Sequence, residues 1–314
     1  MDIPMKSDAL SRREVALASA MILLTPLFWA GHTVVGRLVA NDIPTFSLVS
    51  LRWWFCATVL MLFTYKRVLA SLPLLRRHWR YLILNTLVGP VLFPILLYSG
   101  LKTTTVTNTS IIQSLVPCMV LILAWFILRE RFKALQAAGL VVSMLGVATI
   151  ISKGNPLDLF SVTFVPGDLI ILAGFFSWAL YTVIIRMRPP ALQSDVVLSA
   201  SMAIAAIVTT PLWIGEAAAS DTIPMTAEAW AAIGYIVVFP SLLGYFFYNT
   251  AINLVGPTKA GIASHLAPPL GVLLGVIFLN ETFGLYHAVS FALVLSGVAL
   301  VIRGGRVSKS PAPA

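Results

Sequence analysis

Charge is what this sequence has least of. Asp, Glu, Lys and Arg make up 11% of its 314 residues, against about 25% in a soluble domain. Acids are scarcest, 12 in all, and none stands deep inside an apolar run. That argues against a carboxylate proton relay and against a drug-cation carrier built around a buried glutamate. Cysteine is nearly absent. Cys56 and Cys118 each fall inside an apolar run, so neither belongs to a disulfide framework or a thiolate metal site, and both read as small buried hydrophobes. The four histidines, at 32, 78, 265 and 287, have no ligand-like spacing. No cluster of nucleophile, base and metal ligands stands out, so neither enzymatic activity nor a cofactor is expected. Strand-type alternation is missing too, which removes a membrane β-barrel.

What is present is apolar length. The chain is 59% hydrophobic, with a mean hydropathy of +0.92. A soluble core cannot absorb that much apolar surface, so the fold class is all-α integral membrane, with helices of about 20 residues crossing the bilayer. Polar, proline and glycine breaks divide the chain into ten spans: 15–39, 44–65, 79–101, 105–128, 134–152, 166–187, 192–214, 228–250, 257–280 and 284–303. The first follows a short polar tail with Arg12 and Arg13. It is long for a signal peptide and is expected to stay uncleaved. The connections are short, and no separate soluble domain fits.

The charges sort by side. Lys6, Arg12 and Arg13, then Lys66, Arg67, Arg76, Arg77 and Arg80, then Arg129, Arg131 and Lys133, then Arg186 and Arg188, and last Arg303, Arg306 and Lys309 share one face of a ten-span arrangement. Asp42, Asp158, Asp168, Glu216, Asp221, Glu228 and Glu281 share the other. The positive-inside rule puts both termini in the cytoplasm of a bacterial-type inner membrane. The net charge of +9 is accounted for by these loops, and no nucleic-acid partner is expected.

The sequence also repeats itself. A shift of 151 carries Glu130 onto Glu281, Trp79 onto Trp230, Thr107 onto Thr258, Pro117 onto Pro268, and Gly146-Val147-Ala148 onto Gly297-Val298-Ala299. A shift of 149 carries "WAGHTVVGR" (29–37) onto "WALYTVIIR" (178–186). A constant offset across several spans indicates duplication. The expected halves are 1–153 and 154–314, with five helices each. Five is odd, so the second half enters the membrane inverted. In keeping with this, "RERFK" in one half becomes "NETFG" in the other, losing its basic residues as the corner changes side. Inverted repeats are a mark of secondary transporters, whose site lies near the midplane between the halves.

Each half carries Leu-x-x-Leu-x-Pro, then small and apolar residues, Glu-x-Phe and Gly-Val-Ala, with a Trp-Ala pair in its first span. Over nearly the whole chain this resembles the drug/metabolite transporter superfamily in its ten-helix EamA-type branch, and within it the YddG-type amino-acid exporters. The resemblance implies a basket of helices around a central cavity, lined by helices 1, 3, 4, 6, 8 and 9, with helices 5 and 10 peripheral.

Polar groups inside spans are costly in lipid, and each is a candidate for function. His32 lies one turn beyond Trp29. Its repeat mate Tyr181 lies one turn beyond Trp178, so two matching faces form opposite walls of the expected cavity. If these faces only pack against lipid or core, Thr33 and Thr182 are helix-contact residues, and cavity lining is the preferred reading. Span 3 adds Tyr98. Span 4 offers Asn108, Ser110, Gln113 and Ser114 before Pro117, and span 9 offers Ser264 and His265 before Pro268 and Pro269. Each proline removes a donor and kinks its helix near the bilayer centre. Span 8 contributes Tyr245, Tyr248 and Asn249, with Gly244 allowing close approach. Arg52, deep in span 2, reads as a structural or gating residue in preference to a substrate contact. Glu130 and Glu281 read as residues that fix helix corners.

The expected activity is export of amino acids or similar small metabolites by alternating access, and the alternative is efflux of drugs or other metabolites. The expected partners are the small-molecule substrate and the lipid bilayer. A duplicated chain needs no second copy to complete its symmetry, so a monomer is expected.

Overall fold

The computed structural model describes residues 12–129, 133–152, 154–155, 165–219, 226–247 and 266–305. Among these residues all regular structure is helical. Helix α1 (Arg12–Leu38) contains Pro26. Helix α2 (Thr45–Ala70) follows, and the short α3 (Leu72–Arg77) turns the chain. Next, α4 (Trp79–Thr86), a π-helical segment (Leu87–Leu92) and α5 (Phe93–Leu101) make one continuous stretch. Then come α6 (Val106–Gln113), α7 (Val116–Leu128), α8 (Ala134–Ile151), α9 (Pro166–Arg186) and α10 (Ser194–Ala219). After α11 (Ala227–Ile236) a second π-helical segment runs over Val237–Leu243. Last are α12 (Ala267–Leu279) and α13 (Leu285–Gly305).

By length and composition, six helical stretches among the described residues can cross a membrane: Thr45–Ala70, Trp79–Leu101, Val106–Leu128, Pro166–Arg186, Ser194–Ala219 and Ala227–Phe247. Ala134–Gly146, Ala267–Leu279 and Leu285–Gly297 are shorter apolar helical stretches. Large apolar side chains face outward, among them Phe63 at 78% exposure and Leu285 at 82%. In water such a surface would aggregate. In lipid it is the solvated face.

The prolines explain the irregular segments. Pro90 and Pro240 each sit inside a π-helical segment, where the widened turn accommodates the ring and the missing donor. Pro117 sits in the first turn of α7. In a continuous helix the Gln113 carbonyl would accept from residue 117, and proline has no N–H to give. Helix α6 therefore ends at Gln113. The turn tightens, with Ser114 N donating to Ile111 O at 3.1 Å and Leu115 N to Ile112 O at 3.0 Å. Helices α7 and α12 both end in a left-handed residue, Arg129 (φ 56°) and Asn280 (φ 52°).

Charged side chains lock helix ends to their neighbours. Glu281 accepts from Val106 N at 2.6 Å, Thr107 N at 2.8 Å and Thr107 Oγ1 at 2.6 Å, which covers the positive start of α6. Glu216 does the same for α2, accepting from Ser47 N at 2.7 Å, Ser47 Oγ at 2.9 Å and Phe46 N at 3.2 Å. Arg37 donates to the Leu101 and Lys102 carbonyls at the negative end of α5, at 2.5 and 2.9 Å. Asp168 accepts from Thr104 and Asn108 at the start of α9. Arg67 pairs with Asp195 between the last turn of α2 and the first of α10.

These contacts move two boundaries. The second span was expected to stop at 65 and the seventh at 214, but α2 reaches Ala70 and α10 reaches Ala219. Lys66 and Arg67 suit a helix C-terminus and do not end the helix there. The last turns of α10 carry Glu216, which caps α2.

Helices α2 and α10 pack together, as do α8 and α13, while α1 packs on α12 and α9 on α5 and α7. Small residues permit the closest contact, with Ser290 Oγ donating to Gly146 O at 2.6 Å across α8 and α13. Cys56 and Cys118 are free and buried.

Candidate substrate-binding cavity

A cavity of about 170 Å³ opens between the helices. Trp29, His32 and Thr33 of α1 form one wall, and Phe175, Trp178 and Tyr181 of α9 form another. Arg52 and Trp53 come from α2, and Leu198 and Met202 from α10. Gly89, Pro90, Phe93 and Leu97 line it from the third span, and Gln113, Ser114, Val116 and Pro117 from the α6–α7 break. Pro240, Tyr245 and Pro268 complete the described lining.

The aromatic wall is continuous. Phe93 lies 4.9 Å from Trp178 and 5.7 Å from Phe175 between ring centroids, and Trp178 lies 5.2 Å from Tyr181. Tyr181 fits because Gly89 faces it. A Cβ at Gly89 would collide with the Tyr181 ring. On the other side a Cβ at Gly244 would come within 3.2 Å of Trp29 Nε1.

A polar cluster faces this wall. Arg52 is 5% exposed. Its Nε donates to Ser241 Oγ at 3.0 Å, and its Nη1 contacts Tyr98 Oη and His32 Nε2, each at 3.3 Å. Tyr98 Oη lies 2.7 Å from His32 Nε2. Arginine only donates, so this network assigns His32 Nε2 as acceptor and its ring proton to Nδ1. Ser241 Oγ in turn donates to Ile236 O at 2.6 Å, five residues back in the widened turn. The guanidinium also lies 4.5 Å over the Trp53 ring, a cation–π contact. Every one of these partners is neutral.

The expected cavity residues Trp29, His32, Gln113, Ser114, Trp178, Tyr181 and Tyr245 all line this space. Tyr98 does not. At 1% exposure it stands behind the lining and holds His32 and Arg52. Tyr248, Asn249, Ser264 and His265 lie outside the described residues, as does Glu130. Pro117 and Pro268 reach the cavity, whereas Pro269 lies in the first turn of α12 without lining it. Glu281 sits at a helix corner, as described above. Thr33 lines the cavity beside His32, and Asn108, expected near the midplane, is drawn to Asp168 at the helix ends. Arg52, expected in a structural or gating role, stands in the cavity wall. Helices 2 and 7 line the space as well, because the tightly packed α2 and α10 face it with Arg52, Trp53, Leu198 and Met202. Neither α8 nor α13 contributes a described lining residue. The sequence reading missed Trp53, Phe93, Phe175 and Ser241. Trp53 carried a signal, its adjacency to a deep arginine. The other three carried none that separated them from ordinary core residues.

A family model describes the chain twice. The EamA-like transporter family matches residues 16–152 and again residues 165–303. The chain belongs to that family. Among its relatives is the uncharacterized transporter YetK of Bacillus subtilis (strain 168), 25% identical over 294 residues that cover 92% of this chain and 86% of YetK. An uncharacterized transporter of Archaeoglobus fulgidus is 25% identical over 281 residues, 89% of this chain and 95% of its own. A WAT1-related chloroplastic protein of Arabidopsis thaliana is 26% identical over 315 residues, 94% of this chain and 72% of its own. A protein of known crystal structure shares the fold, with a TM-score of 0.63 at 21% identity over 92% of this chain and 99% of that one. This EamA-family chain is thus a multi-pass membrane protein whose relatives include uncharacterized transporters.

Proposed function

We propose that this protein is a secondary transporter that exports amino acids or similar small metabolites across an inner, plasma-type membrane by alternating access. Ten spans form two inverted halves, 1–153 and 154–314, with both termini in the cytoplasm. The observation that carries the reading is the cavity itself. Side chains from both family-matched segments, including the pseudo-equivalent pairs Trp29–His32 and Trp178–Tyr181, converge on it. A mostly aromatic pocket with a few directed polar groups suits a small amphipathic ligand. The π-helical segments and the α6–α7 break place deformable backbone beside the pocket, where a rocking motion needs it.

Purified protein in liposomes is expected to release labelled small metabolites down their gradient, in a monomeric state. Trp178→Ala removes one face of the pocket. It is expected to lower flux about tenfold, equivalent to about 1.4 kcal/mol of binding, while size-exclusion elution stays unchanged. Wild-type liposomes that pass none of a broad amino-acid and metabolite panel would refute the function. Running the panel with and without a pH gradient separates proton-coupled from uncoupled export. The second reading, multidrug efflux, is tested by resistance assays with toxic cations. A cationic wall residue, Arg52, opposes cationic cargo.

A further inference from the structure

We propose that the transported species is a small organic monoanion, an aryl or branched-alkyl carboxylate, whose carboxylate pairs with Arg52 while its body lies on the aromatic wall. This names the substrate class of the transport reading above and rests on it. Arg52 is almost fully buried, yet it lines the cavity. A guanidinium stays charged at every physiological pH. Its protein partners are Ser241, Tyr98, His32 and the Trp53 ring, and none carries a negative charge.

Among the described residues no carboxylate pairs with it. All twelve carboxylates stand, in sequence, in the tails or loops or within about a turn of the end of an apolar run, and residues 248–265 contain neither Asp nor Glu. Glu216 and Glu281 are engaged in capping α2 and α6, and Asp195 is paired with Arg67. Burying an unpaired charge is costly, and the cost falls steeply when a counter-ion arrives. The missing counter-ion is the cargo.

Net charge then selects among anions. A monocarboxylate brings the occupied site to zero. A zwitterionic amino acid leaves it at plus one, and its ammonium meets no carboxylate. A phosphomonoester, at roughly −1.5 to −2 near neutral pH, overshoots. The planar fork of arginine also matches a carboxylate. The rest of the pocket, Trp29, Phe93, Trp178 and Tyr181, offers ring faces to an apolar body.

One consequence concerns energy. Arg52 remains in the protein, so each transport cycle moves one negative charge. An inside-negative membrane potential drives such an anion outward at about 2.3 kcal/mol per 100 mV, roughly a 50-fold gradient. Export of this cargo needs no proton relay, and the sequence offers no deep carboxylate for one.

The test uses three labelled solutes of one shape in liposomes carrying the full chain: 3-phenylpropanoate, phenylalanine and neutral 3-phenylpropanamide. A potassium gradient with valinomycin sets the potential. The expected result is that 3-phenylpropanoate moves at least tenfold faster than the other two and accumulates toward the positive side, approaching 50-fold at 100 mV. Arg52→Gln is expected to abolish that flux and Arg52→Lys to restore part of it. If the glutamine variant does not fold, the wild-type comparison still decides. Faster movement of phenylalanine or of the amide, or 3-phenylpropanoate flux indifferent to the potential, overturns the anion assignment and leaves the transport reading standing. If none of the three moves and the wider metabolite panel is also silent, the transport reading itself falls.

Discussion

Glu281 and Arg67 show how differently two charged side chains at helix ends can count. Glu281 is partly buried and takes three hydrogen bonds from the start of α6, two of them from backbone donors that no helix can satisfy internally. Arg67 and Asp195 form an ion pair, but their side chains are 56% and 39% exposed. Loss of a helix cap costs about 1 kcal/mol, and an exposed pair contributes roughly 0–1 kcal/mol. Glu281→Ala is therefore expected to lower the Tm in detergent by several degrees, and Arg67→Ala by little. Equal shifts measured by scanning fluorimetry would contradict the capping role. At this scale the sequence was informative about type and weak about partners. That Glu281 fixes a corner was legible from its place at the end of an apolar run. That it reaches across 174 residues to Thr107 was not, because no local pattern encodes which helix start lies nearby.

At the scale of the element, proline governs shape. Pro117 denies the Gln113 carbonyl its helical partner, and the break it causes turns Gln113 and Ser114 toward the cavity. Pro117→Ala allows α6 and α7 to fuse. The expected outcome is a stability gain of up to about 1 kcal/mol from one restored hydrogen bond, together with a loss of flux of about tenfold. A variant with unchanged transport would show that the break only shapes the bundle. Most helix ends among the described residues were readable to within a few residues because hydrophobic length is set by the bilayer. The ends of α2 and α10 were misjudged. A charged residue marks where lipid ends, while a helix stops only where its hydrogen bonds do. The widened turns at Pro90 and Pro240 were foreseeable only as distortions. Tyr181 packs against Gly89 in the first of them, a contact between distant residues that local sequence does not encode.

On the scale of the whole molecule, charge distribution sets orientation. Most basic residues collect on one side of the proposed ten-span arrangement, and seven of the twelve acids lie on the other; the positive-inside rule follows the Lys and Arg of short loops of this kind. A C-terminal fluorescent-protein fusion is expected to glow and a C-terminal phosphatase fusion to stay silent. An active phosphatase would reverse the orientation. The apolar exterior, with Phe63 and Leu285 fully outward, requires that these helices sit in lipid throughout.

The sequence by itself determined the solvent, the helical class, the approximate spans, the 151-residue repeat and the candidate polar residues. Each is written in local composition or in a fixed spacing, so no contact had to be known. The tertiary structure alone decided what surrounds Arg52. Its neutral hydrogen-bond partners come from three separate elements, and whether a buried guanidinium has a counter-ion depends on distances between residues as far apart as Arg52 and Ser241. Burial and pairing are properties of the packed molecule, and the binding role proposed for Arg52 rests on them.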